Sequence, residues 1–112
     1  MRAHNNLATA NRSQLAVAAE LLGLLADPTR LALLRALAGG EHDVSTLTGQ
    51  VDATRSSVSQ HLGRLRLAGL VRARRDGRRM LYRIASGHLS ALVDEALEFA
   101  EHTVRGIPHH PR

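Results

Sequence analysis

The stretch TRSSVSQHLGRLRLAGLVRARRDGRRMLYRI, residues 54–84, decides the fold. Thr54, followed by Ser57 and the apolar set Val58, Leu62 and Leu65, predicts an N-capped helix that Gly69 brings to an end. Two strand-like runs follow, Leu70–Arg75 and Arg78–Ile84, joined by Asp76-Gly77. Asp-Gly suits a tight type I′ turn, in which both central residues take positive φ. From Ala53 to Arg83 there are nine arginines (55, 64, 66, 72, 74, 75, 78, 79 and 83) against one acid, Asp76. A basic helix feeding a basic hairpin has the form of a reading head for duplex nucleic acid.

Upstream, Met1 to about Arg12 is polar, with Asn5, Asn6, Thr9 and Asn11, and is expected to be a loose arm. From Ser13 the residues Leu15, Ala18, Ala19, Leu22 and Leu25 recur at helical spacing. Asp27-Pro28 stops that helix and starts the next, with Asp27 as N-cap and Pro28 in the first helical position. The second helix carries Leu31, Leu34 and Leu37 and ends at Gly39-Gly40. Asp43 can cap a short third helix through Val44, Leu47 and Val51, leaving only Asp52 and Ala53 before Thr54. Two short helices joined so tightly predict a helix-turn-helix whose second member reads DNA.

Downstream of the hairpin, Ser86 can cap a last helix from Gly87 to about Thr103. Its apolar stripe is Leu89, Leu92, Val93, Ala96, Leu97 and Ala100, and Asp94, Glu95, Glu98 and Glu101 make the other side acidic. Gly106 and Pro108 open a tail that carries His109 and His110. The expected organisation is an arm (1–12), one domain (13–103) and a tail (104–112). The expected fold is mainly α with a small β-hairpin: about five helices plus a two-stranded wing.

Composition narrows the function. A chain of 112 residues makes one domain, and dimerisation would bury more of its apolar surface. Phe99 and Tyr82 are the only aromatics, which argues against the stacking platforms that hold single strands. The net charge of +5 points to a polyanion, and all 15 basic residues are arginine. Without cysteine there is neither a disulfide framework nor a thiolate metal or redox site. No apolar run is long enough to span a bilayer and no signal peptide is apparent, so a cytoplasmic location is expected. No nucleophile–base pairing and no phosphate-cradling glycine loop suggests an enzyme.

The segments LADPTRLALLRAL at 25–37, SSVSQHLGRLRLAGLV at 56–71 and RRDGRRMLYRI at 74–84 resemble the signature of the ArsR/SmtB family of metal-sensing transcription factors. The likeness covers roughly residues 13 to 103. Within the family the sequence is most similar to the KmtR-like nickel/cobalt-sensing branch, through Ala100-Glu101-His102 and Gly106-Ile107-Pro108 followed by a His pair. The resemblance implies a winged helix-turn-helix homodimer, paired through its first and last helices, that binds palindromic operator DNA and releases it when metal binds.

The start of a recognition helix presents side chains to base edges, and Thr54, Arg55, Ser56, Ser57, Ser59, Gln60 and His61 occupy that zone. Arginine pairs bidentately with guanine and glutamine with adenine, while short serines let the backbone approach. The resemblance puts Ser59, Gln60 and His61 on the DNA face. Arg64, and Arg72, Arg74, Arg75, Arg78 and Arg79 of the hairpin, are expected to follow the phosphate backbone or minor groove.

His88 and His102 lie fourteen residues apart on the last helix and share a face, but the helical rise separates them by about 21 Å. Two such helices packed antiparallel across a two-fold axis would bring His88 of one chain to His102 of the other, and the stripe Leu89, Leu92, Val93 and Ala96 suits that pairing. Glu101 offers a carboxylate, and His109 and His110 could fold back to complete the shell. Five or six N/O donors suit nickel or cobalt better than tetrahedral zinc. The family's better-known last-helix zinc pattern is broken here, since Ser86 stands in place of its Asp and Phe99 in place of one His. His4 is a further possible donor, and His42 is read as surface. The alternatives are a metal-independent winged-helix regulator, or one that acts with a partner protein.

Overall fold

The computed structural model describes residues 11–106, so His4, His109 and His110 lie outside the described residues. The first helix, α1 (Arg12–Leu25), starts one residue earlier than the sequence pattern suggested. Asn11 makes a capping box: its Oδ1 accepts from the Gln14 N–H at 2.8 Å, and Gln14 Oε1 accepts from the Asn11 N–H at 3.0 Å. Asp27 caps α2 (Pro28–Ala38) through Oδ1, which accepts from the N–H groups of Thr29 at 2.9 Å and Arg30 at 3.0 Å. Asp43 likewise caps α3 (Val44–Gln50) through the Thr46 N–H at 2.8 Å. Thr54 caps α4 (Arg55–Leu67) through the Ser57 N–H at 3.1 Å.

Helix α4 ends in a Schellman motif. The Leu70 N–H donates to the Leu65 carbonyl at 2.9 Å and the Gly69 N–H to the Arg66 carbonyl at 3.0 Å, with Gly69 at φ +79°. The chain then enters β2 (Val71–Asp76) and returns as β3 (Arg79–Ile84). Asp76 pairs with Arg79, so the two-residue turn is Gly77-Arg78, one position later than expected. Gly77 has φ +65° and no non-glycine residue among the described residues has positive φ, so the turn has the type II′ pattern, with glycine first, and not type I′.

The wing also has a third strand. Residues His42–Asp43 form β1, which pairs antiparallel with β3 (His42 with Tyr82, Asp43 with Leu81), giving the order β1-β3-β2. His42 is therefore half-buried in the sheet, a correction to its reading as surface. A two-residue strand has no periodicity of its own, which hid it from the sequence pattern.

Leu33, Leu34 and Leu37 of α2 centre the core, met by Leu47 of α3, Val58, Leu62 and Leu65 of α4, Val71 of β2, and Leu89 and Val93 of the last helix, α5 (Gly87–Arg105). Helix α5 is capped by Ser86, whose hydroxyl accepts from the His88 N–H at 3.0 Å, and it stops at Gly106 in the left-handed conformation. Besides Leu67 at the end of α4, the large exposed apolar residues lie on two helices, α1 and α5. On α1 only Leu25 is buried, while Leu15, Val17 and Leu22 are more than half exposed. On α5 the stripe splits: Leu89 and Val93 point into the protomer, but Leu92 and Phe99 face outward, Phe99 at 75% exposure. The expectation that Leu89 and Val93 serve helix pairing between chains is thereby corrected.

Candidate nucleic-acid interface and metal-ligand positions

The short α3 and the turn at 51–54 lead straight into α4, which buries Val58, Leu62 and Leu65 and leaves Arg55, Ser56, Ser59, Gln60, Gly63 and Arg64 exposed. Ser57 is half-buried, and its N–H is spent on the Thr54 cap. Ser56, Ser59 and Gly63 fall on one side of the helix and give it a low relief, with open space where a Gly63 Cβ would stand. Gly63 was missed from sequence; spacings of three and four between small residues were the available signal. The Arg55 guanidinium is steadied by Ser45 of α3, whose Oγ lies 2.6 Å from Nη1.

His61 does not stand free on this face. It is half-buried, its Nδ1 accepts from Arg30 Nε at 3.1 Å, and its Nε2 lies 3.9 Å from Asp27 Oδ1. The Asp27 carboxyl is held below the usual carboxylate range, chiefly because it accepts the Arg30 N–H, with His61 and Thr29 adding to the effect against the opposing cost of burial.

The wing arginines divide into two sets. Arg74 forms a fork with Glu41, Nε to Oε2 at 2.9 Å and Nη2 to Oε1 at 2.8 Å, and Arg83 Nη1 is 4.0 Å from the same carboxylate. That fork holds the Glu41 carboxyl low and the Arg74 guanidinium high. Arg79 bridges Asp43 at 3.4 Å and Asp76 at 3.2 Å. The Asp43 carboxyl is lowered mainly by the Thr46 N–H, next by the Thr46 side chain and less by Arg79, against the opposing cost of burial. Asp43, Arg74, Asp76, Arg79 and Arg83 share the sheet face of Leu81, which is only 7% exposed. Arg72, Arg75 and Arg78 are exposed and make no ion pair among the described residues. Arg75 and Arg78 stand at the tip, whereas Arg72 is opposite Arg83 at the wing base. The pairing depends on Glu41, just before β1, and on Asp43 of β1, acids that sequence reasoning left out of the wing.

His88, Glu101 and His102 all lie exposed on α5. The helix is continuous from Gly87 to Arg105, so the two histidines sit about 21 Å apart along its axis and within roughly 40° around it. Between them on the same side are Leu92 and Phe99, the outward apolar pair. Glu101 carries an i,i+4 ion pair with Arg105 at 3.1 Å. Among the described residues no three histidines or acids converge on one ion. His109 and His110, expected to complete that shell, lie outside the described residues. Among the described residues no helix is long and apolar enough to cross a membrane.

Residues 27–73 match the family model described as bacterial regulatory protein, arsR family. The chain is 46% identical over 99 residues to the HTH-type transcriptional regulator KmtR of Mycobacterium tuberculosis, covering 88% of this chain and 76% of that protein. It is 37% identical over 94 residues to the regulator NmtR of the same organism, covering 83% and 78% of the two. A solution structure of a homodimeric winged helix-turn-helix DNA-binding domain from Mycobacterium bovis superposes with a TM-score of 0.74 at 30% identity, over 93% of this chain and 95% of that one. These relatives are regulators of transcription and not enzymes. The helix-turn-helix, the basic wing and these relationships lead to one conclusion: the chain belongs to the arsR family of winged helix-turn-helix bacterial regulatory proteins.

Proposed function

We propose that the chain acts as a homodimeric repressor that holds a palindromic operator and leaves it when nickel or cobalt binds between its last helices. The observation that carries this reading is the face of α5 on which His88 and His102 bracket Leu92 and Phe99. Antiparallel pairing of that face with a second copy would cover the apolar pair and bring His88 of one protomer to His102 of the other. The exposed Leu15, Ala18, Ala19 and Leu22 of α1 would extend the same interface. His88 from one chain, with Glu101, His102, His109 and His110 from the other, would hold the ion. A nitrogen- and oxygen-rich set of that size favours nickel or cobalt over tetrahedral zinc. When bound, the ion supplies a rigid link between the two last helices.

On DNA, the Thr54 cap fixes the start of α4. Arg55, Ser56, Ser59 and Gln60 would then read base edges in the major groove, with half-sites about one helical turn apart. Arg75 and Arg78 would take backbone phosphates beside the groove, with Arg64 and Arg72 as further backbone donors. Arg74 and Arg79 would serve by shaping the wing, since their guanidinium groups are already engaged. Metal binding would disfavour the DNA-bound arrangement by a coupling of about 1–3 kcal/mol.

The test is fluorescence anisotropy with a duplex that the dimer enriches from a random pool, titrated with nickel or cobalt. Release from DNA by wild type, and its loss in His102→Ala, is the expected result. Operator binding indifferent to either metal would leave a metal-independent regulator in its place.

A further inference from the structure

Arg30 joins three helices with one side chain. It occupies the third position of α2, where its own N–H donates to the Asp27 cap at 3.0 Å. Its Nη1 donates to the Leu24 carbonyl at 2.9 Å, one of the carbonyls at the end of α1 that the helix itself leaves without a partner. Its Nε donates to His61 Nδ1 at 3.1 Å, halfway along α4. A guanidinium has donors only, so Nδ1 must be the bare nitrogen of the imidazole and the ring must stand in one tautomer and one orientation. Asp27, whose Oδ1 is 3.9 Å from the other ring nitrogen, supplies a counter-charge for the cluster.

The position of this joint gives it significance. Helix α1 buries only Leu25, at its C-terminal end, and holds Leu15, Val17 and Leu22 away from the protomer. Its direction relative to α4 is therefore set near that end, where the Leu24 carbonyl meets Arg30. The link is half-buried, and the planar fork holds both acceptors at once through two different nitrogens.

We infer that Arg30 is a positioning residue that couples the helix facing the second protomer to the recognition helix, through the Leu24 carbonyl on one side and His61 on the other. It fixes the angle at which each α4 leaves the dimer, and hence whether both recognition helices meet their half-sites together. This inference rests on the dimeric reading of α1 given above.

The experiment uses the full-length protein with two probes: the duplex that wild type enriches from a random pool, and a scrambled duplex of equal length. Sedimentation of wild type comes first, because a monomer would remove the dimeric reading, and the inference with it. Given a dimer, Arg30→Lys keeps the charge but cannot reproduce the fork. It should lower affinity for the selected duplex by on the order of tenfold, with affinity for the scrambled duplex, its salt dependence and the dimer retained. His61→Gln, which keeps an acceptor for Arg30, should lose less than His61→Ala. In a double-mutant cycle, Arg30→Lys should cost little more once His61 is alanine. Equal losses on both duplexes, or strict additivity of Arg30→Lys and His61→Ala, would overturn the inference. A thermal melt of each variant separates either result from unfolding, and a variant that melts early is replaced by Arg30→Gln, which keeps one donor and should fall between.

Discussion

Replacing Arg78 by alanine tests how the wing touches DNA. Arg78 is the second residue of the Gly77-Arg78 turn and makes no ion pair among the described residues, so its charge is available to a phosphate. Each phosphate contact contributes about 0.9 to the slope of log affinity against log salt, and a dimer has two wings, so Arg78→Ala should flatten the slope by about 1.8. Across a fourfold rise in salt, from about 50 to about 200 mM, that amounts to roughly a tenfold narrowing of the gap between variant and wild type. Arg74→Ala removes the same formal charge, but from a guanidinium already forked onto Glu41 at 2.9 and 2.8 Å. It should leave the slope close to that of wild type while weakening binding at every salt concentration, because Glu41 is then left to repel the backbone. Anisotropy titrations over a potassium chloride series measure both variants. Equal flattening by the two would refute the division of the wing arginines into free and engaged sets.

Other outcomes follow from local geometry. Thr54→Ala should destabilise the fold by about 1 kcal/mol in urea titrations, with Thr54→Ser restoring most of it, since only the hydroxyl cap on the Ser57 N–H is lost. Leu62→Ala removes a fully buried side chain at the centre of α4 and should cost about 2–5 kcal/mol in the same assay. Glu41 and Asp43 have folded-state pKa values below their ordinary ones. Their contribution to stability is therefore present above about pH 4 and lost as pH falls through the lowered folded values. The wild-type melting temperature should accordingly drop more steeply on acidification below about pH 4 than that of a Glu41→Gln, Asp43→Asn double variant. Phe99→Glu places a charge on the outward face of α5 and should shift the protein toward monomer in sedimentation, with little change in the far-UV spectrum.

Much of the fold could be read because its signals are local. Asp27, Asp43, Thr54 and Ser86 each cap the helix they were expected to cap, through N–H groups two or three residues away. Gly69 ends α4 for an equally local reason, its positive φ. What escaped the sequence is set by partners far along the chain. The Arg74–Glu41 and Arg79–Asp43 pairs span 33 and 36 residues, and β1 exists only because β3 passes beside it. His61 reads as a helix-surface residue until Arg30, 31 residues upstream, is seen to hold it. The stripe on α5 was visible as a stripe. Periodicity cannot separate Leu89 and Val93, which serve the protomer's own core, from Leu92 and Phe99, which face outward.

Mixing subunits tests whether the metal site is completed only by two chains. His88→Ala and His102→Ala dimers, each titrated with nickel by calorimetry, should bind weakly. After subunit exchange, a dimer of one His88→Ala chain and one His102→Ala chain keeps one intact His88–His102 pair across its two-fold axis, so strong binding should return at one ion per mixed dimer. Failure of the mixture to recover any binding, with wild type binding nickel normally, would contradict a shared site.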